Sequence, residues 1–251
     1  MTLKPPSSEV AGGYVYPLSL SILRSADGRP VGKRYQLQGN DWHRSKTTQS
    51  SYLVEPVRCA PTLAELSDVL HQVSSDPTAL LIRDTPAEPS PFPGRPTRRK
   101  GKHFQNRCSR VIVLDLDGVK LSELEGVDLE GWSPGDQARD EDVLNAIRRR
   151  YLPVELQRAP AIAMWSASTG WRKTGDSLYR VDREPSTVGL HLWFIASEPV
   201  DAANLKAWCE LQRANGAPID PSLYHRVQPV YVGAPTIVGE LPRYAPLVLT
   251  D

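Results

Sequence analysis

The segment Val111-Ile112-Val113-Leu114-Asp115-Leu116-Asp117-Gly118 limits more than any other what this chain can become. An apolar run rich in β-branched residues predicts a buried central strand, and this one ends in two carboxylates spaced i, i+2. Strand side chains alternate, so Asp115 and Asp117 are expected on one face and Leu114 and Leu116 on the other. Neighbouring carboxylates repel, more strongly when buried, and stay ionised together only with a cation between them. Oxygen ligands of this kind suit Mg²⁺ or Mn²⁺, and two such ions about 3.5 to 4 Å apart would activate an attacking oxygen and stabilise a leaving one. The plainer alternative is a strand end at the surface, for which Gly118 would supply the turn.

Around this segment the pattern is mixed. Tyr52 to Val57 alternates as a strand does. Thr62 with Glu65 forms a capping box that opens a helix carrying Leu63, Leu66, Val69, Leu70 and Val73, and Ala79 to Ile82 is a short apolar strand. Together these predict a β-α-β unit in a parallel or mixed sheet. Thr85 to Pro96 holds five prolines and reads as an extended connector. Beyond it the expected elements are a strand from Arg110 to Asp117, a helix from Asp140 to Tyr151, a strand from Ala161 to Ser168, a strand from Gly189 to Ala196, a helix from Asp201 to Ala214, and strands near Pro229 to Val232 and Ala245 to Leu249. The stretch before Ser51 yields only ill-defined strands and loops. This is an α/β (α+β) plan, not a regular doubly wound sheet.

Bulk properties exclude rather than identify. The 251 residues fit one large or two joined domains, and a formal charge of +1 can conceal a local basic patch. Cys59, Cys108 and Cys209 are odd in number and widely spaced, which suits neither a disulfide framework nor a C-x-x-C zinc pair and points to a reducing cytoplasm. No secretory h-region and no apolar run of spanning length occurs, so a cytoplasmic location without a membrane partner is expected. One basic run stands out: Arg98, Arg99, Lys100, Lys102, His103, Arg107 and Arg110, with Phe104 interleaved. It reads either as a solvated loop or as a phosphate-contacting surface for DNA.

Two further segments carry chemistry. In Gly189-Leu190-His191-Leu192-Trp193-Phe194 the leucines and Phe194 can face a core, leaving His191 and Trp193 on the other face. The preceding strand ends in Ser166 and Ser168, and a polar loop with Gly170, Arg172, Lys173 and Gly175 joins the two. A hairpin pairing of these strands would gather hydroxyls, cations and an imidazole around a space suited to a triphosphate. Asp220, before Pro221 and followed by Arg226 and Gln228, reads alone as a turn residue.

A strand ending in Asp-x-Asp, a small residue-x-His on a strand, and a lone Asp after an apolar residue together resemble the three-motif core of the archaeo-eukaryotic primase, or primase-polymerase, superfamily. The motifs fall here on Asp115 and Asp117, on Gly189 and His191, and on Asp220. Ser166 and Ser168 resemble the serine-bearing strand end of plasmid and phage members, and Arg226 and Gln228 the segment after the third motif. The resemblance covers roughly Val111 to Pro235. It departs at Gly189, where many relatives have Ser, and in the absence of a zinc-binding stem or helicase module. It implies a single two-lobed domain over 1–251: an N-terminal αβ lobe (1–97) and a catalytic lobe (98–251) with an RRM-like mixed or antiparallel sheet and flanking helices. It also implies a primase of plasmid, phage or mobile-element replication. Catalytic metal, Mg²⁺ or Mn²⁺, would be held by Asp115, Asp117 and Asp220. Nucleoside triphosphate would be contacted by His191, Ser166, Ser168, Lys173, Arg226 and Gln228. Single-stranded DNA would meet Arg98, Arg99, Lys100, Lys102 and Arg107, and a replicative helicase or other replication protein would be a partner.

Two rivals compete. Leu114-Asp115-Leu116-Asp117-Gly118-Val119 also resembles the nucleophile motif of haloacid-dehalogenase-type phosphatases, with Asp115 as nucleophile and Asp117 as acid/base, but the lysine and acidic pair such an enzyme needs find only Gly175 to Asp182 as a candidate. A non-catalytic primase-like module would bind single-stranded DNA through the basic run and stack bases on Trp193 or Phe104. Gly170 to Ser177 has phosphate-loop spacing with Asp176 where lysine is required, which excludes a nucleotide-triphosphatase loop.

Overall fold

The computed structural model describes residues 20–38, 41–47, 49–57, 62–87, 95–105, 108–136, 138–166, 169, 171–175, 178–181, 185–225, 227–232, 236–238 and 247–249. In chain order the elements are β1 (Ser21–Ser25), β2 (Gly32–Gln38), β3 (Asp41–Thr47), β4 (Tyr52–Pro56), α1 (Leu63–Ser75), β5 (Ala79–Ile82), β6 (Thr85–Pro86), β7 (Phe104–Gln105), β8 (Ser109–Lys120), α2 (Asp140–Tyr151), α3 (Val154–Gln157), β9 (Ala161–Trp165), β10 (Trp171–Lys173), β11 (Leu178–Val181), β12 (Thr187–Val200), α4 (Ala202–Ala214), β13 (Pro229–Val230), β14 (Thr236–Val238) and β15 (Leu247–Leu249). The class is mixed α/β with largely antiparallel sheets, as the sequence pattern leads one to expect.

A four-stranded antiparallel sheet, β15-β9-β12-β8, lies at the centre. One face buries Leu114, Leu116, Leu190, Leu192 and Phe194 with Val143, Ile147, Leu205 and Cys209 of α2 and α4. The other buries Val111, Val113, Ile162, Met164 and Trp193 with Leu66, Leu70 and Val73 of α1 and with Ile22 and Leu81 of a second sheet, β13-β5-β1-β4. A fully buried Leu contributes roughly 1.5–3 kcal/mol, against roughly 0–1 kcal/mol for a surface ion pair. Apolar burial on both faces, not charge pairing, therefore fixes the central sheet. The alternation read for β8 and β12 holds, with the leucines and Phe194 on one side and Trp193 on the other.

Several expectations are corrected. Residues 52–83 form a split β-α-β unit: β4 and β5 both pair antiparallel with β1, which lies between them, so they do not pair with each other. The segment after Ser168, expected as a polar loop, contains the hairpin β10–β11, so β9 and β12 pair without being joined by a simple turn. The opening stretch supplies β1, β2 and β3. Strands from both sides of residue 97 share sheets: β13 pairs with β5, and β2 and β3 lie beside β14 and β11. The proline-rich connector ends in β6, which pairs with β7, while residues 88–94 lie outside the described set. Cys108 and Cys209 are free thiols, and Cys59 lies outside the described residues. Among the described residues no helix is long and apolar enough to cross a membrane.

Two of the helices, α1 and α4, start at side-chain caps. Thr62 accepts from the Glu65 amide at 3.2 Å, and Asp201 accepts from the Ala203 and Asn204 amides at the head of α4. Asp140, in the first turn of α2, does something the sequence did not announce. It is buried, and it accepts from Trp132 Nε1 at 3.1 Å, Trp165 Nε1 at 3.0 Å and the Gly135 amide at 3.0 Å. A carboxylate can serve three donors at once because its two oxygens carry about four lone-pair positions. This carboxylate thereby ties the loop before α2 to the end of β9, and burial raises its pKa above the ordinary carboxylate value.

Asp140→Ala is expected to cost roughly 2–3 kcal/mol in chemical denaturation, because it leaves buried N–H donors without partners. The raised pKa gives a pH signature. The folded state holds the proton more tightly than the unfolded chain, so stability contributed at low pH is lost as pH climbs from the unfolded carboxyl value through the folded one. A pH series of denaturation midpoints should show that loss in the natural chain, and Asp140→Asn should abolish it.

Candidate active site

The three motifs, Asp115 with Asp117, Gly189 with His191, and Asp220, come together along the β8 edge of the central sheet. β8 runs on to Lys120 through an irregularity at Gly118, where φ is +74°, so both aspartates sit within the strand and not at its end. On one side Asp115 pairs with His191 of β12. On the other the Ile219 segment bridges Leu116, with the Asp220 amide donating to the Asp115 carbonyl at 2.8 Å and the Asp117 amide to the Pro218 carbonyl at 2.9 Å. Asp115 thus spends its carbonyl toward Asp220. It faces His191 as the non-hydrogen-bonded kind of pair, in which side chains lie closer. His191 Nε2 stands 3.4 Å from Asp115 Oδ1. Directly opposed residues share a face, so Asp115, His191 and Asp220 line one patch. His191 is buried, Asp115 and Asp220 are partly covered and Asp117 is exposed.

Asp220 is also the turn residue that its sequence context suggests. It caps the short 3₁₀ turn Pro221–Tyr224, accepting from the Ser222 amide at 2.9 Å and from Ser222 Oγ at 2.7 Å. The donor set, carboxylate oxygens with an imidazole beside them, fits a hard divalent cation in kind. In position, no three His, Cys, Asp or Glu side chains form a metal-holding cluster among the described residues. Cation binding would draw Asp220 away from Ser222 or use its remaining lone pairs.

The hydroxyl wall lies next to this patch. Ser166 is buried, and its amide donates to the Gly189 carbonyl at 2.8 Å. Thr169, which the sequence reading passed over, takes the place of a strand neighbour: its hydroxyl donates to the Gly189 carbonyl at 2.6 Å and accepts the Gly189 amide at 3.0 Å. A Cβ at residue 189 would stand 2.8 Å from Ser166 Oγ and 3.4 Å from Asp117 Oδ1. Glycine at this position is therefore what lets the Ser166 hydroxyl and the Asp117 carboxylate approach the same spot. Ser168, Gly170 and Arg226 lie outside the described residues.

The segment after Asp220 is gripped by Arg83 and Asp84, which follow the all-apolar β5. The buried Arg83 guanidinium stacks on the Tyr224 ring at 4.5 Å, and burial lowers its pKa. Tyr224 in turn donates to the Val113 carbonyl at 2.7 Å, and burial beside it raises the Cys209 thiol to about 12. Asp84 accepts the Val227 amide, and Arg99 donates to the Val227 carbonyl. Val227 has φ +52°, a left-handed conformation that β-branched residues rarely adopt. Its backbone is thus held at both ends, between Arg226 and the half-buried Gln228. The signal available in sequence was a charged pair closing an apolar strand.

The remaining expected residues scatter. Arg98, Lys100 and Lys102 are exposed, whereas Arg99 is half-buried on Val227; Arg107 lies outside the described residues. Lys173 is exposed on β10, in the other sheet. Stacking of bases on Trp193 or Phe104 is ruled out, since these are 0% and 1% exposed. Comparison of the chain with protein-family models, with curated proteins and with solved structures found no match.

Two substitutions test this local geometry. Gly189→Ala should destabilise by about 1–3 kcal/mol through overpacking, and adding Ser166→Ala should restore part of the loss by removing the oxygen it strikes. Asp84→Ala should cost about 1–3 kcal/mol through the orphaned Val227 amide, whereas Val227→Gly, which suits a positive φ, should change the midpoint by less than about 1 kcal/mol.

Proposed function

We propose that this chain is a template-directed nucleotidyltransferase of the primase-polymerase kind, which starts primers on single-stranded DNA from nucleoside triphosphates. The observation that supports it best is the direct backbone pairing of the Asp220 segment with the strand bearing Asp115 and Asp117, opposite His191. Residues more than a hundred positions apart in sequence share one patch there, in the order the family resemblance requires.

In this reading Asp115, Asp117 and Asp220 would hold Mg²⁺ or Mn²⁺, which when bound supplies charge stabilisation at the α-phosphate and a more acidic attacking hydroxyl. The chain's own groups do the rest. His191, buried beside Asp115, would donate to a phosphate oxygen. Ser166, held by Thr169 and uncovered by Gly189, offers a hydroxyl next to Asp117. Gln228, on the clamped segment, and Arg226 would orient the triphosphate, which lowers the entropic part of the barrier. Positioning and fixed charge carry most of the work in phosphoryl chemistry of this type. The phosphatase rival fares worse, since Asp115 faces an imidazole where that chemistry wants a lysine.

The test is purified protein with single-stranded DNA, labelled nucleotides and Mg²⁺ or Mn²⁺, run beside a phosphomonoesterase assay. Products longer than a dinucleotide are expected, and Asp115→Ala with Asp117→Ala should reduce them to background while far-UV circular dichroism stays unchanged. Phosphate release from a simple ester, with no extended product, would replace this reading by the phosphatase.

A further inference from the structure

Arg99 stands in the middle of the basic run and has a different role from its neighbours. Arg95, Arg98, Lys100 and Lys102 are exposed, whereas Arg99 is half-buried and donates to the Val227 carbonyl. The backbone at Lys100 is extended, and side chains alternate along extended chain, so the cations on either side of Arg99 face outward while its own is turned in. Between Arg95 and Gln105 there is no Asp or Glu, and among the described residues none of the four exposed cations makes an ion pair. The run is anchored at both ends. Thr97 is buried and exchanges two backbone hydrogen bonds with Tyr52 of β4, at 2.7 and 2.8 Å. His103 Nδ1 lies 3.1 Å from Thr97 Oγ1 and 3.0 Å from the Arg98 carbonyl, and the buried Phe104 clusters with Leu23, Leu80 and Ile82.

Like charges crowded on one short loop repel, so the conformation that presents them together is costly until an anion neutralises them. A polyanion gains most from cations already aligned, and a ligand shifts an equilibrium only by its preference for one state. Occupation of the exposed cations therefore favours the same loop conformation that keeps Arg99 on Val227. Val227, with φ +52°, needs such holding, because the left-handed region is unfavourable for a β-branched residue. Its amide goes to Asp84 and its carbonyl to Arg99, and Gln228 follows it directly. A nucleic-acid strand suits these cations better than a membrane surface does, since the described residues 95–105 expose no large apolar side chain to enter a lipid interface.

We infer that Arg99 is a positioning residue: a single DNA strand seated on Arg95, Arg98, Lys100 and Lys102 steadies the loop, and Arg99 relays this to the Val227 peptide and so to Gln228. That template binding thereby raises triphosphate affinity rests on the function proposed above. The effect on Val227 does not depend on it.

The test is hydrogen exchange of the full chain, read by mass spectrometry on the peptide covering residues 224–230, without nucleotide. It is run with and without an oligothymidylate of about 20 nucleotides, longer than the usual footprint on such surfaces. The oligonucleotide is expected to slow exchange at Val227 roughly fivefold in the natural chain, the low end of ordinary coupling between sites. Arg99→Met, which keeps much of the stem, should bind the oligonucleotide within about twofold of the natural chain, because only screened long-range charge is lost. It should show no slowing, and Arg99→Lys, which restores a donor, should recover part of it. Arg98→Ala with Lys100→Ala and Lys102→Ala should flatten the slope of log K against log salt by about 2, at about 0.7 per phosphate contact on a single strand. In a parallel titration with a fluorescent nucleoside triphosphate and Mg²⁺, the oligonucleotide should tighten binding roughly fivefold in the natural chain and not in Arg99→Met. Slowed exchange without any triphosphate binding would count against the transferase and leave the relay supported. Exchange at Val227 that ignores the oligonucleotide in the natural chain, or equal slowing in Arg99→Met, would overturn the inference. So would binding to phosphatidylserine vesicles with none to the oligonucleotide.

Discussion

A single backbone contact organises the rest: the Asp220 amide on the Asp115 carbonyl, with the Asp117 amide on the Pro218 carbonyl as its companion. Ladder bonds of this kind are directional and set register, and a slip of one residue would turn each side chain to the opposite face. Because the bonds stand where they do, Asp220 lies across from Asp115 and His191 lies on the far side of the same residue. Apolar packing on both faces of the central sheet holds β8 and β12 still, and this rigidity makes the register informative about chemistry.

The N-terminal elements are not an independent appendage. β5 receives β13 along its edge and is followed by Arg83 and Asp84, which reach the Asp220–Gln228 segment at Tyr224 and Val227. A stacked buried cation and a clamped positive-φ valine both cost free energy in themselves, and structure elsewhere must offset them. Spending that stability on one short segment is what a positioning role demands. The same pattern recurs at Asp140, whose carboxylate fixes a loop and two indoles, one of them Trp165 at the end of β9 just before Ser166.

How much of this was legible beforehand depends on whether the signal was local. The alternation around Asp115 and His191, the Thr62 cap and the extent of α2 follow from side-chain period and local chemistry along the chain, and the fold repeats them. The hairpin β10–β11 was missed because its strands are short and its residues polar, so nothing in its hydrophobic pattern separates it from a loop. β1 between β4 and β5 was missed because partner choice is a long-range property that no window along the chain carries. The part Thr169 plays and the reason that residue 189 lacks a side chain are legible only in three dimensions. One acts by supplying a hydroxyl where a strand backbone would be, and the other by lacking a Cβ. Asp220 shows the converse: the plain reading as a turn residue and the chemical reading as a ligand are both compatible with its place, since it caps a 3₁₀ turn while facing Asp115.

The central claim is that the three carboxylates serve one cation site, and Mn²⁺ titration followed by electron paramagnetic resonance reaches it without any assumption about substrate. The account predicts that the natural chain takes up Mn²⁺ and that Asp220→Ala loses the site as completely as Asp115→Ala does. Equal uptake by the natural chain and Asp220→Ala, or no uptake by either at millimolar metal, would contradict it.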